Sequence, residues 1–406
     1  MDEVTHLLTV GAASARAMRC TRRPPAVLAT AASTLLLVLP LVLAPGCGDD
    51  DGSRPDGSTD YGTCVPHPFS VSPVAIADIR SIAPLGNLNP PGHVMPTEHM
   101  YVYLRLAPGG EQTVVTPLHA PCDLTVTMAR ATEHVHAGFV DFALTGAPCN
   151  DLTLVLGHVS SLEESLFGDT TTLEGWQYDG EYDGGDEIYR GWVRWFEVGV
   201  TAGARLGTAG GHPGQWALDV GVFDLRTPSG TTANPARWRQ SSLHAACMFD
   251  LFADGPVRDS LVALLDREPL PADPTPCGAV HQDVVGTAHG AWFLAGTPNQ
   301  RPEDNHLALV WHSTRPSMAA ISVGRAVPTL DSNVYAFTPA DTGRLNRTFT
   351  AVTPGPQPFG YAHAMLDGVV LVQLPVADTL WIERIAASPA DPESWVFTDR
   401  HSVFAR

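Results

Sequence analysis

Along this chain, short stretches of alternating apolar and polar residues, or of unbroken apolar residues, recur between Gly and Pro. That is the pattern of β-strands with one or both faces buried. In the first half, residues 101–104, 124–127, 138–142, 152–156 and 218–222 read as strands. After a break, residues 291–294, 307–311, 320–323, 334–337, 368–374 and 380–384 do so at intervals of about ten, the spacing of a small sandwich or barrel. One helix is predicted over 259–266, with Asp259 as its N-cap, and Pro269, Pro271, Pro274 and Pro276 end it. The expected architecture is mainly β in two domains, 71–250 and 278–406, joined by a helical and proline-rich linker over 251–277.

The N-terminus has a different composition. Arg19, Arg22 and Arg23 precede an uncharged run over 26–46, an export signal. Its end, Leu43-Ala44-Pro45-Gly46-Cys47, resembles the lipobox of bacterial lipoproteins. The resemblance implies removal of residues 1–46, a lipid on Cys47 as membrane anchor, and a cell-envelope location. Gly48 after the cysteine implies the outer membrane more than the inner. Residues 47–70 are rich in Asp, Gly and Ser, and read as a self-repelling acidic tether.

Charge and residue usage narrow the chemistry. The formal net charge is -19, and every one of the 24 basic residues is Arg. With no basic stripe, a nucleic-acid partner is not expected. The absence of Lys removes Schiff-base chemistry and the phosphate loop that ends in G-K-[ST]; G-x-S-x-G and H-E-x-x-H are absent too. In an oxidising compartment Cys64, Cys122, Cys149, Cys247 and Cys277 can form disulfides. Among the arrangements that five cysteines allow, 122 with 149 and 247 with 277 are the expected pairs.

Three local patterns offer sites. His134-Val135-His136 would put two imidazoles on one face of a strand, as a metal pair, or would form the solvated end of a hairpin, which Ala137-Gly138 favours. Asp179-Gly180-Glu181-Tyr182-Asp183-Gly184 opens like a calcium loop but has Arg190 at the twelfth position, so an acidic surface loop is expected. Trp192 and Trp195, with Trp176 nearby, are candidates for sugar or peptide recognition, against the alternative of core packing.

A wider constellation runs through Ile82-Ala83-Pro84-Leu85-Gly86, His99, Ala120-Pro121-Cys122-Asp123, Gly157-His158-Val159-Ser160, Ala202-Gly203-Ala204-Arg205-Leu206-Gly207 and Ala217-Leu218-Asp219. In this order, over about residues 76–224, the segments resemble the lysostaphin-type zinc metallopeptidases that cut peptidoglycan. The resemblance implies an antiparallel, barrel-like β domain. It also implies His99 and Asp219 as metal positions, His158 as a catalytic histidine, and Tyr103 and Ala217 as pocket residues. The family's metal-binding Asp falls on Tyr103, and the first His of its H-x-H falls on Ala217. With a ligand and the base replaced, the expectation is a degenerate peptidase-like domain that binds or scaffolds, with peptidoglycan or an envelope protein as partner. A cofactor is not expected; zinc is the metal such a site would take. The alternatives are a metal-dependent hydrolase built on His99, Asp219 and His158, and a sugar- or peptide-binding module.

Overall fold

The computed structural model describes residues 59–183, 187–269 and 277–406. The export signal, Cys47, Gly184 and the prolines at 271, 274 and 276 lie outside them. The chain is mainly β, and its two large sheets are antiparallel.

Ten strands form the first sheet: β1 (Ile79–Ala83), β2 (His99–Leu104), β3 (Thr116–His119), β4 (Leu124–His134), β5 (Phe139–Cys149), β6 (Leu152–Leu162), β7 (Gln177–Asp183), β8 (Ile188–Val200), β9 (Arg205–Ala209) and β10 (Ala217–Asp224). The main path is β1-β2-β10-β6-β5-β4-β8-β7, and β9 joins β6 to β3. In β4, Val126, Ala129 and Ala131 are buried while Thr125, Arg130 and Thr132 are not, so one face is sealed. Phe142, Leu144, Leu154, Leu156, Val220 and Phe249 fill the core beneath it, and the opposite face is left open for a site.

Two two-residue strands, β11 (Gly230–Thr231) and β12 (His281–Gln282), pair in parallel. The second sheet contains β13 (Gly290–Leu294), β14 (His306–Trp311), β15 (Ala319–Val323), β16 (Asn333–Phe337), β17 (Phe359–Tyr361), β18 (Val369–Val376), β19 (Thr379–Ile385) and β20 (Ser402–Ala405). Its order is β16-β15-β14-β13-β20-β19-β18-β17. The sheet curls enough to bring Phe337 on one edge strand within 5.1 Å of Tyr361 on the other, ring centre to ring centre.

The expected division into two domains is not confirmed: both sheets fall in one compact unit. Burial explains this. Residues 290–293 and 306–310 are sealed on both faces. One face covers the second core, and the other presents Ala291, Phe293, Ala308 and Val310 to Met95 and Trp238. The Asp283 carboxylate reinforces the seam by accepting from the Ala233 and Ala291 amides, both at 2.7 Å.

The remaining expectations change in detail. The helix α2 runs over Pro256–Val262 after the one-turn α1 (Glu164–Phe167). Gly255 precedes α2, and Asp259 lies in its first turn rather than capping it; Pro at the first helical position starts the helix earlier. The described part of the acidic tether, residues 59–70, packs against the rest of the chain. Tyr61 donates its amide to Asn150, and Phe69 is buried edge-on to Phe252. The reason is Cys64, which pairs with Cys149. The expected 122–149 bond is therefore not formed: Cys122 is a buried free thiol, pushed by burial to a pKa of about 12. The expected 247–277 bond is present.

Candidate functional site

The open face of the first sheet holds a cleft of about 410 Å³, and His99, His158 and Asp219 all line it. Strand register brings them together. On β10, Asp219 lies opposite Tyr101 of β2 and Gly157 of β6. His158 follows Gly157 at φ +60°, a left-handed conformation that a residue with a side chain seldom adopts. Here Phe142 faces Val159 while Leu144 faces Leu156, so a single β5 residue opposes two on β6. This is a β-bulge, which re-aims a side chain, and it turns His158 into the cleft. A Cβ on Gly157 would come 3.2 Å from the Asp219 Cβ, so the missing side chain gives the carboxylate its place.

Asp219 Oδ2 lies 3.4 Å from His99 Nε2 and 3.4 Å from His158 Nε2. On its other side, His158 Nδ1 donates to Asp141 Oδ2 at 2.7 Å. Asp141 also faces His134 Nε2 at 3.4 Å and accepts from the Gln215 amide. Burial pushes the Asp141 carboxyl up, but hydrogen bonds from His134 and His158, with their charges, hold it well below the usual range. Burial opposes a charge on His158, yet the Asp219 carboxylate and then the Asp141 hydrogen bond lift its pKa to about 9. His158 is thus an imidazolium at neutral pH, held between two carboxylates. Next to His99, burial and the His99 charge depress His93 to about 3.

Tyr103 and Ala217 lie directly opposite each other, where the resemblance puts a metal-binding carboxylate and a base, and neither supplies one. Instead Tyr103 stacks on Tyr101 at 6.0 Å, and burial followed by the Asp219 charge raises its phenol pKa. His99 Nε2 and Asp219 Oδ1 are buried without a hydrogen-bond partner. Even so, no group of three or more His, Cys, Asp or Glu among the described residues is arranged to hold a metal ion. The residues that the resemblance offers to zinc are two, His99 and Asp219, and the His158 imidazole that faces Asp219 carries its own proton, so this donor set does not fit a catalytic zinc.

The local patterns separate. His134 turns into the cleft, while the side chain of His136 is 56% exposed beyond the end of β4. The acidic run is strand β7 rather than a loop, and its carboxylates meet arginines: Asp179 is 2.6 Å from Arg130, and Glu181 is 2.9 Å from Arg190. Neither Trp192 nor Trp195 lines the cleft. Trp192 packs against the core and beside Tyr178 at 5.6 Å, and Trp195 lies opposite Met128. Asp141 and Gln215 were not singled out in the sequence. Asp141 had a signal, a lone carboxylate inside the apolar run 138–142; Gln215, in a Gly-rich turn, had none. Compared with family models, with curated proteins and with solved structures, the chain matches none.

Proposed function

We propose that this is a cell-envelope lipoprotein, anchored through a lipid on Cys47, whose open-face cleft recognises or scaffolds envelope material, peptidoglycan foremost, without hydrolysing it. The observation that carries this reading is His158, bonded at 2.7 Å to Asp141 and facing Asp219 at 3.4 Å. To activate water, a base must have a free lone pair within hydrogen-bond reach. At neutral pH His158 has none, Asp141 is occupied by its donors, position 217 is Ala, and Asp219, the remaining carboxylate, is held between the His99 and His158 rings. The test is incubation of the protein with purified sacculi, with and without added zinc. Co-sedimentation without soluble fragments is expected; release of peptide fragments refutes the proposal.

His99 Nε2 and Asp219 Oδ1, buried without a hydrogen-bond partner, favour one competing reading, a metal-dependent hydrolase built on His99, Asp219 and His158. Elemental analysis of the purified protein separates the two. Stoichiometric zinc, lost in His99→Ala together with Asp219→Ala, selects the hydrolase.

A further inference from the structure

The charged groups of the cleft face one another. Arg130 is engaged by Asp179 at 2.6 Å, Asp141 by His158 at 2.7 Å, and Asp219 lies between His99 and His158. Glu98 and Arg239 add one charge of each sign to the lining. This leaves a cavity rich in donors and acceptors in which the Arg130, Asp141 and Asp219 charges already face partners, so a carboxylate, phosphate or amine ligand would have to compete with an existing pair. Thr132, Thr145 and Thr153 extend the same neutral hydrogen-bonding surface.

Aromatic rings form one side. Tyr189 lines the cleft, and Tyr182, which is 54% exposed, lies beside it at 6.0 Å with the ring planes 23° apart. Register continues the row through His134, opposite Tyr189 on the next strand, to Phe139, which stacks on His134 at 4.2 Å. The Tyr182 and Tyr189 rings, close to parallel, with His134 edge-on to Tyr189, stand beside hydrogen-bonding groups and suit a ligand with an apolar face and a hydroxylated edge.

The floor argues against a peptide held as an added strand. That mode of recognition needs a free strand edge, where unpaired backbone groups await partners. The cleft rests on β10, β6, β5, β4 and β8, each paired on both sides, so a peptide lying there would find no backbone ladder to join.

We propose that the cleft takes an uncharged saccharide, with one sugar ring against Tyr189 and Tyr182 and its hydroxyls on Arg130, Thr132 and His158. This inference rests on the recognition reading above and specifies its ligand. The experiment is isothermal titration of the full chain in detergent with chitotetraose, maltotetraose and a blocked alanine tetrapeptide. At least one sugar is expected to bind. Tyr189→Ala should weaken it roughly fivefold to tenfold, the worth of an aromatic stacking contact. Tyr189→Phe should retain binding, and Tyr182→Ala, on an exposed ring, reports the same surface if the first variant is unfolded by circular dichroism. Binding of the peptide without either sugar, no binding of any probe, or sugar binding that both folded alanine variants leave unchanged overturns the saccharide assignment. Fragment release from sacculi is the separate result that removes the recognition reading beneath it.

Discussion

Replacing Glu303 with Gln should make the protein more stable at neutral and alkaline pH and have little effect in acid. Glu303 follows Arg301-Pro302 at the seam between the sheets and is 6% exposed, with Oε2 lacking a hydrogen bond. Its neighbours are Arg301 at 3.5 Å and His93 at 3.8 Å. His93, depressed to about 3, supplies no positive charge. Burial therefore dominates over Arg301 and raises the Glu303 carboxyl from 4.5 to about 7. Between these two values the folded state holds a proton that the unfolded state has released, so stability falls as pH rises. Each pKa unit corresponds to 1.36 kcal/mol, so the full effect is about 3 kcal/mol, absent below pH 4.5 and complete above pH 7. Glu303→Gln keeps the shape and has no proton to lose. The assay is urea unfolding of both proteins at half-unit steps from pH 4 to 8.5. The difference in unfolding free energy should grow by about 3 kcal/mol in favour of Gln across that window. A constant difference, or one that moves toward the native protein as pH rises, refutes the reasoning, because a fixed packing or hydrogen-bond effect has no such slope.

Other outcomes follow from the same geometry. The His158 imidazole should stay protonated up to a midpoint near 9 by NMR titration, and Asp141→Asn should bring that midpoint down. The sign is that of a raised histidine: its stabilising effect is complete below pH 6.5 and is lost as pH rises through 9. Non-reducing peptide mapping should recover 64–149 and 247–277, with Cys122 unlabelled by iodoacetamide until the protein unfolds. Cys64→Ala opens a loop of 85 residues and should cost about 4–5 kcal/mol by the chain-entropy relation, read by urea unfolding. Trp292→Ala removes a fully buried indole that also lies under the Arg406 guanidinium at 4.1 Å, and should cost about 3–5 kcal/mol.

Strands were legible wherever local residues alone specify them. Residues 152–156 and 307–311 are β-rich apolar runs bounded by turn residues, and β6 and β14 contain them. By contrast β8, the longest strand, has an irregular pattern because Trp192 and Val193 bury to different degrees on opposite faces and Arg190 and Arg194 lie among them. Its existence depends on pairing with β4 and β7. The cleft was legible in its extreme members: His99, His158 and Asp219, widely spaced in sequence, do line one cavity. Its middle was not, because Asp141 and His134 join through the register of β4 with β5, and register is a relation between strands.

The cysteines show the same division. A proline before each cysteine, at the edge of an apolar run, made 122–149 the expected pair, yet Cys149 bonds to Cys64, in a segment that also docks Tyr61 on Asn150 and Phe69 on Phe252, contacts made by residues far apart along the chain. By itself the sequence determined a mainly β chain with a single substantial helix, a strongly acidic balance of charge and no lysine chemistry. These are matters of residue identity and of periodicities that a strand or helix imposes locally. The tertiary structure alone decided the union of both sheets in one unit, the exchange of disulfide partner, the β-bulge that turns His158 inward, and the carboxylates that keep it protonated. Each depends on distances between groups remote in sequence, and both Coulomb energy and burial act through distance in space, which no reading of neighbours along the chain contains.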